Sequence, residues 1–169
     1  MNQPHPATLD LDELRKQCEV RRVRRSGPGG QRRNKVETAV VIRHLPTRVE
    51  AEANERRSQV ENQRVALKRL RVALALTIRC EFDQQAAPSP LWKTRCRNGR
   101  IVVNQNHVDF PAILAEALDA VFACQFDVNT TADRLNCSMS QLIKLLKVEP
   151  RALLLVSDRR RELGMRSLK

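Results

Sequence analysis

Positions 27 to 30 hold three glycines and a proline, Gly27-Pro28-Gly29-Gly30, and Gln31 follows them. Glycine reaches positive φ and lets a backbone approach a ligand closely, while proline stiffens the chain beside it. A loop of this kind offers main-chain N–H groups rather than side chains. Arg25, Arg32, Arg33 and Lys35 flank it, so what it offers them to is an anion. On composition alone the plainer reading is a mobile basic hairpin loop. Elsewhere the sequence shows no Ser–His–Asp pattern, no metal cluster and no persuasive carboxylate pair.

The surrounding words narrow the choice. Arg25-Ser26-Gly27-Pro28-Gly29-Gly30-Gln31 followed by Asn34-Lys35 resembles the catalytic loop of class I peptide chain release factors and their ribosome-rescue relatives. The resemblance continues through Ala39-Val40 and His44-Leu45-Pro46-Thr47. It resumes at Glu55-Arg56-Arg57-Ser58-Gln59, Asn62-Gln63-Arg64, Ala66-Leu67 and Leu70, covering about residues 20–78. One departure is Arg48, where the family usually has glycine after Pro-Thr. The resemblance implies a loop that enters the peptidyl-transferase centre of the large ribosomal subunit. There the Gln31 N–H would stabilise the transition state or the leaving ribose hydroxyl of peptidyl-tRNA. The Gln31 side chain would admit water, and Gly29 and Gly30 would supply the backbone conformation. Arg25, Arg32, Arg33 and Lys35 would hold ribosomal RNA phosphates. Gln31 is also the position that is commonly N5-methylated in the family. No cofactor and no metal are implied.

Composition agrees with a nucleic-acid partner. The net charge is +12, and nine basic side chains fall between positions 15 and 35 with only Glu19 opposing them in that window. Hydrophobic residues make up 41% of the chain but aromatics only 3%, so aliphatic side chains must supply the core. No stretch is apolar enough to span a bilayer. Residues 1–16 lack the apolar run of a signal peptide. The expected setting is the cytoplasm, as a monomer. Cys18, Cys80, Cys96, Cys124 and Cys137 form no CxxC and are expected to form no ligand cluster with His5, His44 or His107, which reads as reduced structural thiols.

The loop needs strands to hold it. Residues 1–8 are expected to be disordered and Leu9–Cys18 a short helix capped by Asp10. Val20–Arg24 reads as a strand entering the loop, and Val36–Leu45 as the strand leaving it, with Val36, Thr38, Val40 and Ile42 on one face. After Pro46-Thr47, the alternation of Val49, Ala51 and Ala53 with charged residues predicts an antiparallel return strand. Ser58 and Glu61 suggest a capping box for a helix running to about Cys80, with Ala66, Leu67, Leu70, Ala73, Leu74 and Ile78 on its packed face. Gln84-Gln85-Ala86-Ala87-Pro88-Ser89-Pro90 reads as linker, Trp92 as packing against a domain surface, and Asn98-Gly99 as a hairpin turn.

From Phe110 the pattern is helical. Phe110, Ile113, Leu114, Ala117, Leu118, Val121 and Phe122 form one stripe. Thr131–Ser138 followed by Gln141–Leu146 looks like a helix-turn-helix, with Ala132 where the helices cross, Asn136 at the turn and Ser138 as cap. A last helix spans about Pro150–Leu163, with Leu153, Leu154 and Val156 apolar.

The fold class is therefore α+β. A small catalytic domain (1–82), an antiparallel sheet packed on a long helix, leads through a linker with a short hairpin (83–109) to a mainly helical domain with a helix-turn-helix-like unit (110–169). Too little sequence precedes the loop to hold a codon-reading domain, and nothing after it resembles the tripeptide that reads stop codons. The expectation is a codon-independent, ribosome-dependent peptidyl-tRNA hydrolase acting in ribosome rescue or termination. The alternatives are a helix-turn-helix regulator of nucleic acid and a ribosome-binding protein without hydrolase activity.

Overall fold

The computed structural model describes residues 4–23 and 39–168. The chain is mixed α+β and divides into two compact units, one of residues 9–78 and one that joins residues 4–8 to residues 79–168.

In the first unit, Asp10 accepts from the N–H groups of Asp12 and Glu13 at 2.9 and 2.8 Å and caps α1 (Leu11–Lys16), satisfying donors a helix start leaves unpaired. Strand β1 (Cys18–Val23) pairs antiparallel with β2 (Ala39–His44) from Cys18↔His44 to Val23↔Ala39. In turn β2 pairs with β3 (Glu50–Ala53) from Val40↔Ala53 to Arg43↔Glu50. Central β2 carries the burial, with Val40, Ile42 and His44 on one face as the period-two pattern predicts and Ala39 buried as well. The sheet packs on α2 (Gln59–Thr77). Two rows of the helix face inward: Asn62, Ala66, Leu70 and Leu74, and beside them Leu67, Arg71 and Ala75. Their four-residue spacing stacks them on one side. Leu70 and Leu74 are fully buried, each contributing about 1.5–3 kcal/mol.

Two expectations here need correction. Ser58 sits at the N-cap of α2, but its side chain makes no capping bond. The start of the helix is held instead by buried Asn62, whose amide donates to Arg56 O and accepts from Arg56 N–H, both at 2.9 Å. The two side chains of a capping box both accept from backbone N–H groups, whereas the Asn62 amide donates as well as accepts. Ala73 and Ile78 are half-buried rather than core, and Ile78 lies past the last helical residue as an extended C-cap.

The turn between β2 and β3 is closed by Arg48 N–H donating to His44 O at 2.7 Å and His44 N–H donating to Val49 O at 2.9 Å. Arg48 has φ 59°. The left-handed conformation that suits glycine is kept here by an arginine.

The second unit is built around α4 (Phe110–Ala123), which α3 (Pro90–Arg95) precedes. The single apolar stripe expected for α4 is too narrow: Pro111, Ala112, Ala115, Asp119 and Ala120 are buried as well. A helix rich in alanine lets neighbours approach closely on every side. Residues 83–109 are not a free linker. Ser89 donates to Glu116 through its N–H and its hydroxyl at 2.8 and 2.5 Å, Gln84 donates to Ala123 O at 2.7 Å, and Arg95 pairs with Asp109 at 2.7 Å. Gln84 and Ser89, which look like linker by composition, find their partners on α4. Trp92, 1% exposed, anchors α3, and its indole N–H donates to Leu135 O at 2.7 Å.

Strands β4 (Cys96–Arg97) and β5 (Arg100–Ile101) form the expected hairpin, with Asn98 and Gly99 at φ 50° and 73° as a type I′ turn requires. Helices α5 (Val128–Arg134) and α6 (Met139–Val148) meet across a turn in which Asn136 takes φ 51°. Ala132, Leu135, Leu142 and Leu145 are buried, and Ser138 Oγ accepts from Gln141 N–H at 3.3 Å. Of the apolar residues expected in α7 (Pro150–Glu162), Val156 is buried but Leu154 is exposed, and Ala152 takes the inward place. Among the described residues no helix is long and apolar enough to cross a membrane.

Candidate functional site

Gly29, Gly30 and Gln31, with Arg25, Arg32, Arg33 and Lys35, lie outside the described residues. What is described is their mounting. β1 ends at Val23 and β2 begins at Ala39, and these two residues are register partners in neighbouring antiparallel strands. The segment 24–38 therefore leaves and re-enters the sheet at adjacent points. β2 is fixed from behind by Val40 and Ile42 against α2.

The basic stretch before the loop is partly neutralised, by one near neighbour in sequence and by one residue from across the sheet. Lys16 pairs with Glu13 at 2.6 Å, and Arg21 pairs with Glu50 across the sheet at 2.8 Å. Glu50 also lies 3.4 Å from Arg43. Glu19 is thus not the only acid that opposes the cluster. These are exposed pairs worth little stability. Across the whole of residues 9–78 there are 17 basic and 9 acidic side chains, against 14 and 10 from 79 to 169. The excess positive charge is concentrated in the unit that carries the loop.

His44 anchors the turn that follows. Its ring nitrogens meet Thr47 Oγ1 at 2.8 Å and Gln17 Oε1 at 3.0 Å. Burial holds its pKa below the ordinary histidine value, so the neutral ring donates at one nitrogen and accepts at the other.

In the other unit a second constellation comes together that the sequence hides. The expectations that residues 1–8 are disordered and that no cysteine clusters with a histidine both fail for the described residues. Pro6–Thr8 form a 3-10 turn with Ala7 fully buried, and His5 is 7% exposed. His5, Cys80 and Asp119 place one nitrogen, one sulfur and one carboxylate oxygen within 4.8 Å of one another. They line a cavity of about 560 Å³ together with Arg79, Glu81 and Glu116. Asp119 Oδ1 accepts from Arg79 Nη1 and from Cys80 N–H, both at 3.1 Å. Arg79 also lies over the Phe122 ring at 5.1 Å. Burial pushes the Asp119 carboxyl up to about 6, although Arg79 opposes the shift, and raises the Cys80 thiol. Separations of 75 and 39 residues leave no local signal for this grouping.

The second helix of the helix-turn-helix carries three polar side chains that could read bases, Gln141, Lys144 and Lys147. Gln141 is occupied otherwise: its Oε1 accepts from Ile101 N–H at 3.2 Å and ties α6 to the hairpin.

Comparison with known proteins extends beyond the loop. Residues 8–105 match the family model described as the RF-1 domain. Mitochondrial peptide chain release factor 1 of Bos taurus is 33% identical over 100 residues, 58% of this chain and 22% of its own length. Peptide chain release factor 1 of Xylella fastidiosa is 43% identical over 82 residues, 48% of this chain and 19% of that one. The mitochondrial peptide chain release factor 1-like protein of Rattus norvegicus is 39% identical over 71 residues, 42% and 19% of the two chains. The chain thus spans about a fifth of the length of these relatives. The matched segment takes in the whole sheet, helix α2 and the loop they mount, and it covers more than half of the sequence: the chain belongs to the RF-1 domain family.

Proposed function

We propose that this chain is a release-factor-like translation factor that hydrolyses the peptidyl-tRNA ester on the ribosome, and that it does so without reading a codon. The observation that carries the proposal is the family match over residues 8–105, which contains Gly29-Gly30-Gln31 between the two paired strands. In this reading the loop reaches the peptidyl-transferase centre, and the Gln31 N–H donates to the oxygen on which charge develops. Gly29 and Gly30 aim that N–H, and the Gln31 side chain selects water. Arg25, Arg32, Arg33 and Lys35 hold large-subunit RNA phosphates, so binding is strongly salt-dependent. Gln31 is the residue proposed for N5-methylation. The protein acts in the cytoplasm as a monomer, with residues 1–82 as its catalytic part. The codon-independent half of the proposal is supported by the helical unit that follows the loop. Occupation of Gln141 by the hairpin weighs against the regulator reading of the helix-turn-helix.

The test is release of labelled peptide from stalled ribosomes, with and without a codon in the A site. Gly30→Ala is expected to cripple release, because a Cβ penalises the backbone conformation needed. Loss of one aimed donor costs about 100- to 1,000-fold in rate. Gln31→Ala keeps the N–H and retains substantial release. If Gln31→Ala is the more impaired at equal ribosome occupancy, the backbone mechanism fails. A strict codon requirement refutes the rescue reading. Ribosome binding without release by the wild-type protein leaves the inactive binder.

A further inference from the structure

The unit formed by residues 4–8 and 79–168 contains a donor set unrelated to the loop. We propose that His5, Cys80 and Asp119 form a binding site for one divalent transition-metal ion of the zinc class. Three different donor atoms converge from three separate segments. His5 comes from the turn at the N-terminal end, Cys80 from the segment after α2, and Asp119 from the middle of α4. All three atoms lie within 4.8 Å of one another. Ligands at about 2.0–2.3 Å from zinc sit within about 4 Å of each other, so side-chain rotation of around 1 Å closes the set. Nitrogen, thiolate and carboxylate together favour zinc over magnesium or calcium, which prefer oxygen alone.

The surroundings suit a cation. Glu81, Glu116 and Asp119 line the cavity against a single arginine among the described residues. Arg79 Nη1 and Cys80 N–H both donate to Asp119 Oδ1, and a carboxylate carries a second oxygen and further lone pairs with which to ligate. Such outer bonds orient a metal-binding carboxylate. His5 Nδ1 accepts from Ala7 N–H at 3.0 Å. Ligation through Nε2 places the ring proton on Nδ1 and breaks that contact, so the Pro6–Thr8 turn changes when the ion binds. The Cys80 thiol gives its proton to solvent and ligates as thiolate. With three protein donors, one position stays open to the cavity for water. Bound there, the ion clips the N-terminal segment to α4.

The test uses the full chain and cobalt(II) as an optical substitute for zinc. One equivalent per chain should produce a thiolate-to-cobalt charge-transfer band, which added zinc abolishes. Cys80→Ser should remove the band, while Cys96→Ser and Cys137→Ser should keep it. His5→Gln should weaken affinity by at least about 10- to 100-fold, the loss typical even of an outer-sphere partner. In amide NMR, zinc should shift the Ala7 signal in the wild type and leave it in place in His5→Gln. No band with the wild type, or a band that survives Cys80→Ser, overturns the proposal. Should Cys80→Ser fail to fold by circular dichroism, His5→Gln decides alone, and unchanged affinity overturns it.

Discussion

Replacement of Arg48 by glycine should stabilise the unit of residues 9–78. Arg48 is exposed, and its backbone closes the β2–β3 turn at φ 59°. A non-glycine residue in the left-handed region pays roughly 1–2 kcal/mol. Glycine relieves that strain but adds unfolded-state entropy, about 0.4–1 kcal/mol. The difference leaves a net gain on the order of 0.5 kcal/mol, or about 2–4 °C in melting temperature for a unit of this size. Arg48→Ala is the control, because alanine removes the same side chain yet keeps the Cβ. It should sit within about 0.5 kcal/mol of wild type. The assay is urea denaturation followed by far-UV circular dichroism. Glycine less stable than alanine would refute the reasoning, since the turn would then not need a left-handed residue at 48.

Two further outcomes follow from the contacts described, and a third from the proposed function. Trp92→Phe removes the only indole donor to Leu135 O; stranding that buried acceptor should cost about 1–3 kcal/mol, and a urea midpoint equal to wild type contradicts it. His44 has a folded-state pKa below its unfolded value, so its contribution is present above the ordinary histidine pKa of about 6.5 and is lost as pH falls below it; His44→Gln should show a flatter stability profile there, and identical profiles exclude His44 as the titrating group. Arg32→Ala combined with Arg33→Ala should weaken ribosome binding and lower the salt slope by up to about 2, whereas an unchanged slope removes both residues from the RNA interface.

Much of the fold was legible because its signals are local. The stripe Ala66, Leu67, Leu70 and Leu74 follows the helical period, Val40 and Ile42 follow the strand period, and Asn98-Gly99 names its own turn. Ser138 likewise caps a helix three residues from the N–H it receives. The loop residues were legible as words in order, and they lie outside the described structure. The misses share another cause. Asn62 stands in for the expected capping box by binding both backbone groups of Arg56, six residues before it and outside the pattern a box follows. Residues 83–109 read as linker by composition, yet Glu116 and Ala123 supply partners from more than 25 residues away. His5 lay in a stretch with no periodicity, and only tertiary packing brings it to Cys80 and Asp119.

The burial of Trp92 has an optical consequence. The sequence contains one tryptophan and no tyrosine, so near-ultraviolet emission comes from a single indole in the unit of residues 79–168. The unit that carries the loop is dark. Emission on heating tracks the environment of that indole alone, whereas far-ultraviolet dichroism sums helices α2 and α4 from both units. Where the two melting curves coincide, the units unfold together. Where they separate, the gap between them measures the independence of the dark half, with no label attached and no residue changed.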